Sequence, residues 1–238
     1  MTHIAVGDGY LIADKRTTYT NGTGGRLDGK TAGSKRATFV RDDTVKIILP
    51  TNDLFYGNPS KNPLKVMALA MAGSYSAERI HPVELLKHFD NLGKFIELLN
   101  QDAFTARGFV LMAMLENGDV VTVRQEFQLR MKSRWHATTF TKKHFDDRHY
   151  ETIGSGGFMT KVLAPFYKRG EITLLEAFLY GSHMDPHSSM DYSVFGLKEN
   201  QLFTTVTPTV EEQKAAVEKV HALLAFKRPK RHYFPLAT

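Results

Sequence analysis

The chain has no cysteine among its 238 residues. Disulfide bonds, thiolate metal sites and a cysteine nucleophile are thereby excluded. Long hydrophobic runs are missing as well. The longest, Val66–Ala72 and Phe109–Leu115, have seven residues each, far below the ~20 that a membrane-spanning helix requires. Met1-Thr2-His3-Ile4 shows no basic stretch leading into an apolar one, so the expectation is a soluble, cytoplasmic protein with no secretory signal. Charge of one sign is scarce outside the C-terminus. The formal charge is +6, and setting aside Lys227, Arg228, Lys230 and Arg231 leaves +2. Only Tyr233 and Phe234 accompany that cluster, with no reader motif. Residues 227–238 therefore read as a solvated tail or a subunit contact, with nucleic-acid binding the lesser alternative. Gly-x-Ser-x-Gly, His-Glu-x-x-His and the P-loop pattern are also absent, which removes the commonest hydrolase and nucleotide signatures.

What remains is an ordinary globular composition, 42% hydrophobic and 24% charged, and that excludes disorder for most of the chain. Turn signals divide residues 1–226, read as one domain, into hairpins and helices. Asp8-Gly9 between His3–Val6 and Tyr10–Ala13 predicts a hairpin at the start. Asn117-Gly118 between Phe109–Leu115 and Val120–Gln125 predicts a second, and Lys198-Glu199-Asn200 between Tyr192–Phe195 and Gln201–Val206 a third. Ala37–Val40 and Val45–Leu49 read as strands around Arg41-Asp42-Asp43, and Thr17–Lys35 and Pro50–Pro63 as loops. Val66–Ala72 suits a strand buried on both faces. Val83–Leu99, after Pro82, repeats its apolar residues at helical steps of three and four. Further helices are expected over Phe158–Tyr167, over Thr173–Gly181, and over Val210–Phe226 behind the capping box Thr209-x-x-Glu212. The basic stretch Met131–Tyr150 yields no assignment. With no alternation of strand and crossover helix, the expected class is α+β, antiparallel sheets with helices packed in layers.

Two motifs invite a ligand and carry little. His183-x-x-x-His187 has the spacing of two helical metal ligands, but Pro186 would interrupt that helix, so no metal is expected. Gly154-Ser155-Gly156-Gly157 could cradle a phosphate at a helix start, and reads better as a tight turn.

Thr2 is more informative. Its side chain is of the small type that permits removal of an initiator methionine. A threonine so exposed carries a hydroxyl nucleophile and an α-amine base on one carbon. An α-amine has a pKa of about 7.7–8.0, so part of it is neutral, as a general base must be. The stretch from Thr2 through Gly7-Asp8-Gly9 to Ala13-Asp14 resembles the opening of the proteasome β-type N-terminal-nucleophile hydrolases, in the short-hairpin form of bacterial and bacteriophage chains. Further resemblances follow in order. Val45-Lys46-Ile47 is similar to the family's active-site lysine segment, and Ala70-Met71-Ala72-Gly73-Ser74 to the strand end whose glycine forms the oxyanion hole. Ile153-Gly154-Ser155-Gly156 and Asp185-Pro186-His187-Ser188 resemble its Ile-Gly-Ser-Gly and Asp-x-x-Ser motifs.

That resemblance implies a four-layer sandwich, two antiparallel sheets between helix layers, and a threonine-type amidohydrolase or peptidase. Thr2 would attack an amide carbonyl, Lys46 would depress the amine pKa, Asp14 would hold Lys46, and the Gly73 N–H would bind the oxyanion. Ser155, Asp185 and Ser188 would surround the amine. It also implies a peptide or amide substrate, assembly into a homo-oligomeric ring, and no cofactor, since the terminus itself carries the chemistry. Departures from the pattern are Ala77 where an acidic residue is usual, with Glu78 one later, and His3 in place of a second threonine. On the residues alone, Lys46 reads equally as a solvent-facing strand lysine, Lys35 is a rival to it, and Asp14 reads as a hairpin end. A catalytically inactive ring or scaffold protein on the same fold is the alternative function.

Overall fold

The computed structural model describes residues 2–21, 37–41, 44, 46–73, 86–101, 109–126 and 134–226. The chain starts with the expected hairpin. Asp8 and Gly9 both take positive φ, +50° and +78°, the combination a tight two-residue turn demands. They fold β1 (His3–Gly7) onto β2 (Tyr10–Asp14) with Ile4 opposite Ala13 and Gly7 opposite Tyr10. Alternation then sorts the side chains: Ala5 and Ile12 face one apolar cluster, and Ile4, Val6, Leu11 and Ala13 another.

Next come β3 (Thr17–Asn21) and β4 (Ala37–Arg41), which pair with each other, then β5 (Ile47–Ile48), β6 (Phe55–Tyr56) and β7 (Leu64–Gly73). Helix α1 (Leu92–Asn100) precedes β8 (Phe109–Leu115), β9 (Val120–Glu126) and β10 (Arg134–Phe140). Short helix α2 (Lys142–Asp146), β11 (Glu151–Gly154), α3 (Ser155–Lys161), α4 (Ala164–Lys168) and α5 (Leu174–Met184) follow. The described chain ends with β12 (Tyr192–Gly196), β13 (Gln201–Val206) and α6 (Val210–Phe226).

One sheet runs β11-β1-β2-β12-β13, the other β10-β9-β8-β7-β5 with β6 also on β7, and every ladder is antiparallel. The protein is thus a mixed α+β structure with two antiparallel sheets and, among the described residues, six helices. Three apolar clusters hold it together. The first joins the β1 sheet to α4, α5 and α6 through Phe166, Phe178 and Val220. The second lies between the sheets, where Ile4 and Leu11 meet Ala70 and Met112. The third packs the β7–β9 sheet on α1 through Leu69, Leu111 and Phe95. Among the described residues no helix is long and apolar enough to cross a membrane.

Several local expectations need correction. Ala37–Val40 and Val45–Leu49 do not pair around Arg41-Asp42-Asp43: β4 joins β3, and the shorter β5 joins β7. Thr17–Asn21, read as loop, is therefore a strand. Of the helix expected over Val83–Leu99, residues 83–85 lie outside the described residues, residues 87–91 are not helical, and α1 starts at Leu92. Asn91 interrupts the stripe by capping that helix, its side chain accepting the Gly93 N–H at 2.7 Å. Phe158–Tyr167 is two short helices, broken between Lys161 and Ala164. Within Met131–Tyr150 lie β10 and α2. Both capping boxes form, Thr173 with Glu176 and Thr209 with Glu212. Lys35, Pro82, Ala77, Glu78 and the tail 227–238 lie outside the described residues.

Candidate active site

Thr2 enters β1 at the edge of the inter-sheet space and is only 6% exposed. Gly154, opposite His3 in the β1–β11 register, makes room for it. Gly154 has φ of +89°, and a Cβ there would sit 1.8 Å from the Thr2 carbonyl oxygen. Backbone angle and close approach both demand glycine. Ile4 points into the inter-sheet core and His3 toward the helices, so strand alternation sets Thr2 on the inter-sheet side.

Asp14, at the end of β2 and wholly buried, lies across from this entry. Its Oδ1 accepts the His3 N–H at 2.7 Å and Lys46 Nζ at 2.7 Å, while Oδ2 accepts the N–H groups of Arg16 at 3.1 Å and Ser189 at 3.3 Å. Lys46 Nζ also donates to the Arg16 carbonyl. A buried ammonium and the amide next to Thr2 therefore share one carboxylate oxygen. Burial pushes the Asp14 carboxyl above the usual range, against the lowering pull of Lys46 and of the His3 and Ser189 N–H groups. An ion pair withdrawn from water needs such additional donors to offset desolvation.

Asp185, just beyond α5, forms a second cluster. Ser155 Oγ at 2.5 Å and Ser188 Oγ at 2.8 Å donate to its Oδ2, and the His187 N–H donates to Oδ1 at 3.1 Å. Burial alone would raise this carboxyl, but the Ser155 and Ser188 hydroxyls and the His187 N–H together hold it below the usual range. Ser155 follows Gly154, so this cluster flanks Thr2 from the β11–α3 side. Gly73 ends β7 opposite Phe109, with φ of +145°. It joins neither hydrogen-bonded cluster.

His3, noted in the sequence only as a departure, has the most enclosed position of all. It is fully buried, its ring stacked on Phe178 at 4.4 Å. Gly156 and Gly181 clear space for it: a Cβ on the first would lie 2.6 Å from His3 Cβ, and on the second 2.8 Å from Cε1. Nδ1 lies 2.9 Å from Ser182 Oγ, and Nε2 lies 2.9 Å from Thr160 Oγ1. Thr160 Oγ1 also lies 3.1 Å from the Gly156 carbonyl, so both ring nitrogens are satisfied by hydroxyls that are themselves fixed by the fold. The ring is neutral, its pKa lowered to about 3, chiefly by burial; Asp185 acts to raise it and Lys46 to lower it. Nothing in the spacing of residues 3, 156 and 181 announces this nest.

The ligand motifs have other occupations. His187 lies beyond the end of α5 at Met184, so it does not share a helix face with His183. Among the described residues no three His, Asp or Glu side chains converge as a metal site. Glycines 154, 156 and 157 are needed for the close approach of Thr2, His3 and Thr152. Neither a protein-family model nor a curated protein matches the chain in sequence.

Proposed function

We propose that the protein is a threonine amidohydrolase of the N-terminal-nucleophile class, acting on peptide or amide bonds once the residue before Thr2 has been removed. One observation carries this reading: Thr2 enters the sheet beside a buried Lys46–Asp14 pair whose shared oxygen also binds the His3 N–H. The stacking of helices, sheet, sheet and helix through three apolar clusters supports a four-layer sandwich of the Ntn type.

In this mechanism the freed α-amine takes the Thr2 hydroxyl proton as Oγ bonds to the amide carbonyl carbon. The Lys46 ammonium disfavours a second positive charge nearby and keeps the amine neutral. Gly73, at the end of β7, supplies an N–H for the oxyanion, an interaction typically worth about 2.7–4 kcal/mol. The amine then passes its proton to the leaving nitrogen as the C–N bond breaks, leaving an ester on Thr2. Water, deprotonated by the same amine, cleaves the ester and restores the hydroxyl. Asp185, held by Ser155 and Ser188, offers a fixed negative charge to the protonated amine between these steps.

Intact mass and turnover test the reading together. The expected result is a mature chain starting at Thr2 that hydrolyses a fluorogenic peptide amide, with the rate falling to background in Thr2→Ala. A chain that keeps Met1 and never turns over peptide would instead be the non-catalytic scaffold.

A further inference from the structure

Beside Gly154 the space between the sheets opens into a cleft of about 320 Å³, near the lower end of the range for ligand pockets. Met112 and Ile153, both packed in the inter-sheet core, form apolar walls, and Arg124, Glu151 and Lys161 border it. The cleft and the Thr2 carbonyl meet at Gly154, which brings the cleft to the residue that carries the proposed nucleophile.

Its charges are unequal in availability. Glu151 is engaged by His144 Nε2 at 3.2 Å. Among the described residues Arg124 has a single long contact, 3.4 Å to Glu126, and both of those side chains are about half exposed; such pairs contribute little. Lys161 is exposed and has no ion-pair partner among the described residues. Two cations stand against one carboxylate, so the charge at the cleft is positive on balance. In the wall, Thr122 Oγ1 is buried without a hydrogen-bond partner among the described residues, an arrangement native structures rarely leave unrelieved. Apolar walls suit a methylene stem, and two cations suit an anionic end.

We infer that this cleft receives the carboxylate side chain of a residue near the scissile bond, so that the substrates of Thr2 are acidic peptides. The inference rests on the proposed Thr2 activity. A charge-assisted hydrogen bond outweighs a neutral one enough to give about tenfold discrimination.

The test is a set of blocked alanine octapeptides carrying one glutamate at successive positions, each paired with its glutamine counterpart. At one position kcat/KM for the glutamate peptide should exceed its partner about tenfold. That ratio should collapse toward one in the double variant Arg124→Gln, Lys161→Gln. Lys161→Glu should turn the preference toward a lysine peptide. Because Arg124 and Lys161 are exposed, loss of folding does not confuse the result. A ratio near one in the unaltered protein, or a ratio that survives both substitutions, overturns the inference while leaving the Thr2 reading intact. If no peptide is cleaved, the Thr2 reading fails. Calorimetric binding of the same peptides to Thr2→Ala then decides the cleft alone: glutamate-selective binding abolished by the double variant sustains it, and equal or absent binding discards it.

Discussion

Asp14 and Asp185 are buried carboxylates bracketing one residue, and the protein satisfies them differently. Asp14 meets a cation and three backbone N–H groups; Asp185 meets two hydroxyls and one N–H and, among the described residues, no cation bonds to it. The first cluster is close to neutral as a whole and presents an ammonium. The second keeps a net negative charge. An amine on Thr2 would feel the two in opposition, Lys46 pressing its pKa down and Asp185 holding its protonated form. His3 already records this contest, since Asp185 raises its pKa and Lys46 lowers it. The difference teaches that hydrogen bonds to neutral donors can hold a buried charge without cancelling its field.

The largest break in that comparison should come from Asp14→Asn. It leaves the Lys46 ammonium buried without its counter-charge, and removing one partner of a buried pair typically costs about 3–5 kcal/mol. Urea unfolding should show this as a lower midpoint at unchanged slope. Adding Lys46→Met should recover most of the loss, and failure to recover would mean the carboxylate serves the backbone donors more than the lysine.

His3 sharpens the comparison next. Its folded pKa of about 3 lies below the ordinary 6.5, so the unfolded chain binds a proton that the native ring refuses. That stability is fully present above 6.5 and is lost as pH falls toward the folded value. From about pH 7.5 to about pH 4.5 the loss should be about 2–3 kcal/mol. Urea titrations at both pH values would measure it, and His3→Leu should flatten the difference.

Much of the scaffold was legible because its signals are local. Asp8-Gly9 and Asn117-Gly118 fix hairpins by backbone angle, and Thr209 with Glu212 fixes a helix start within four residues. Asp14, Lys46, Ser155, Asp185 and Ser188 were legible only through an ordered family pattern, and the structure gathers them into two bonded clusters. Pairing partners across distance were not legible. Nothing in Ala37–Arg41 tells that it meets Thr17–Asn21, since either neighbouring segment could satisfy its ladder. The His3 nest was hidden for the same reason: Gly156, Gly181, Thr160 and Ser182 matter by convergence in space, and each alone resembles any helix residue.

Asp185→Asn should have a smaller effect than Asp14→Asn, about 1–2 kcal/mol, because the amide still accepts a hydroxyl bond and strands no cation. Its acid response also has a definite sign. The folded pKa is depressed, so Asp185 contributes stability above the ordinary carboxylate range, lost as pH falls through the folded value. Acid unfolding of Asp185→Asn should accordingly be shallower than that of the unaltered chain.

The finest distinction is between the two serines that share Asp185 Oδ2. Ser155→Ala and Ser188→Ala each remove one hydroxyl donor from the same oxygen, so each should lower stability by about 1 kcal/mol, read as similar shifts in the urea midpoint. Rates should separate them. Ser155 follows the glycine pressed against the Thr2 carbonyl, whereas Ser188 sits in the turn after α5 and closes on Asp185 through its own N–H as well. If the Asp185 cluster attends the amine, Ser155→Ala should lower kcat several-fold more than Ser188→Ala while KM stays level. Equal rates at equal stability would reduce that cluster to a clamp on the α5 loop and leave Lys46 and Asp14 as the only charges that matter to Thr2.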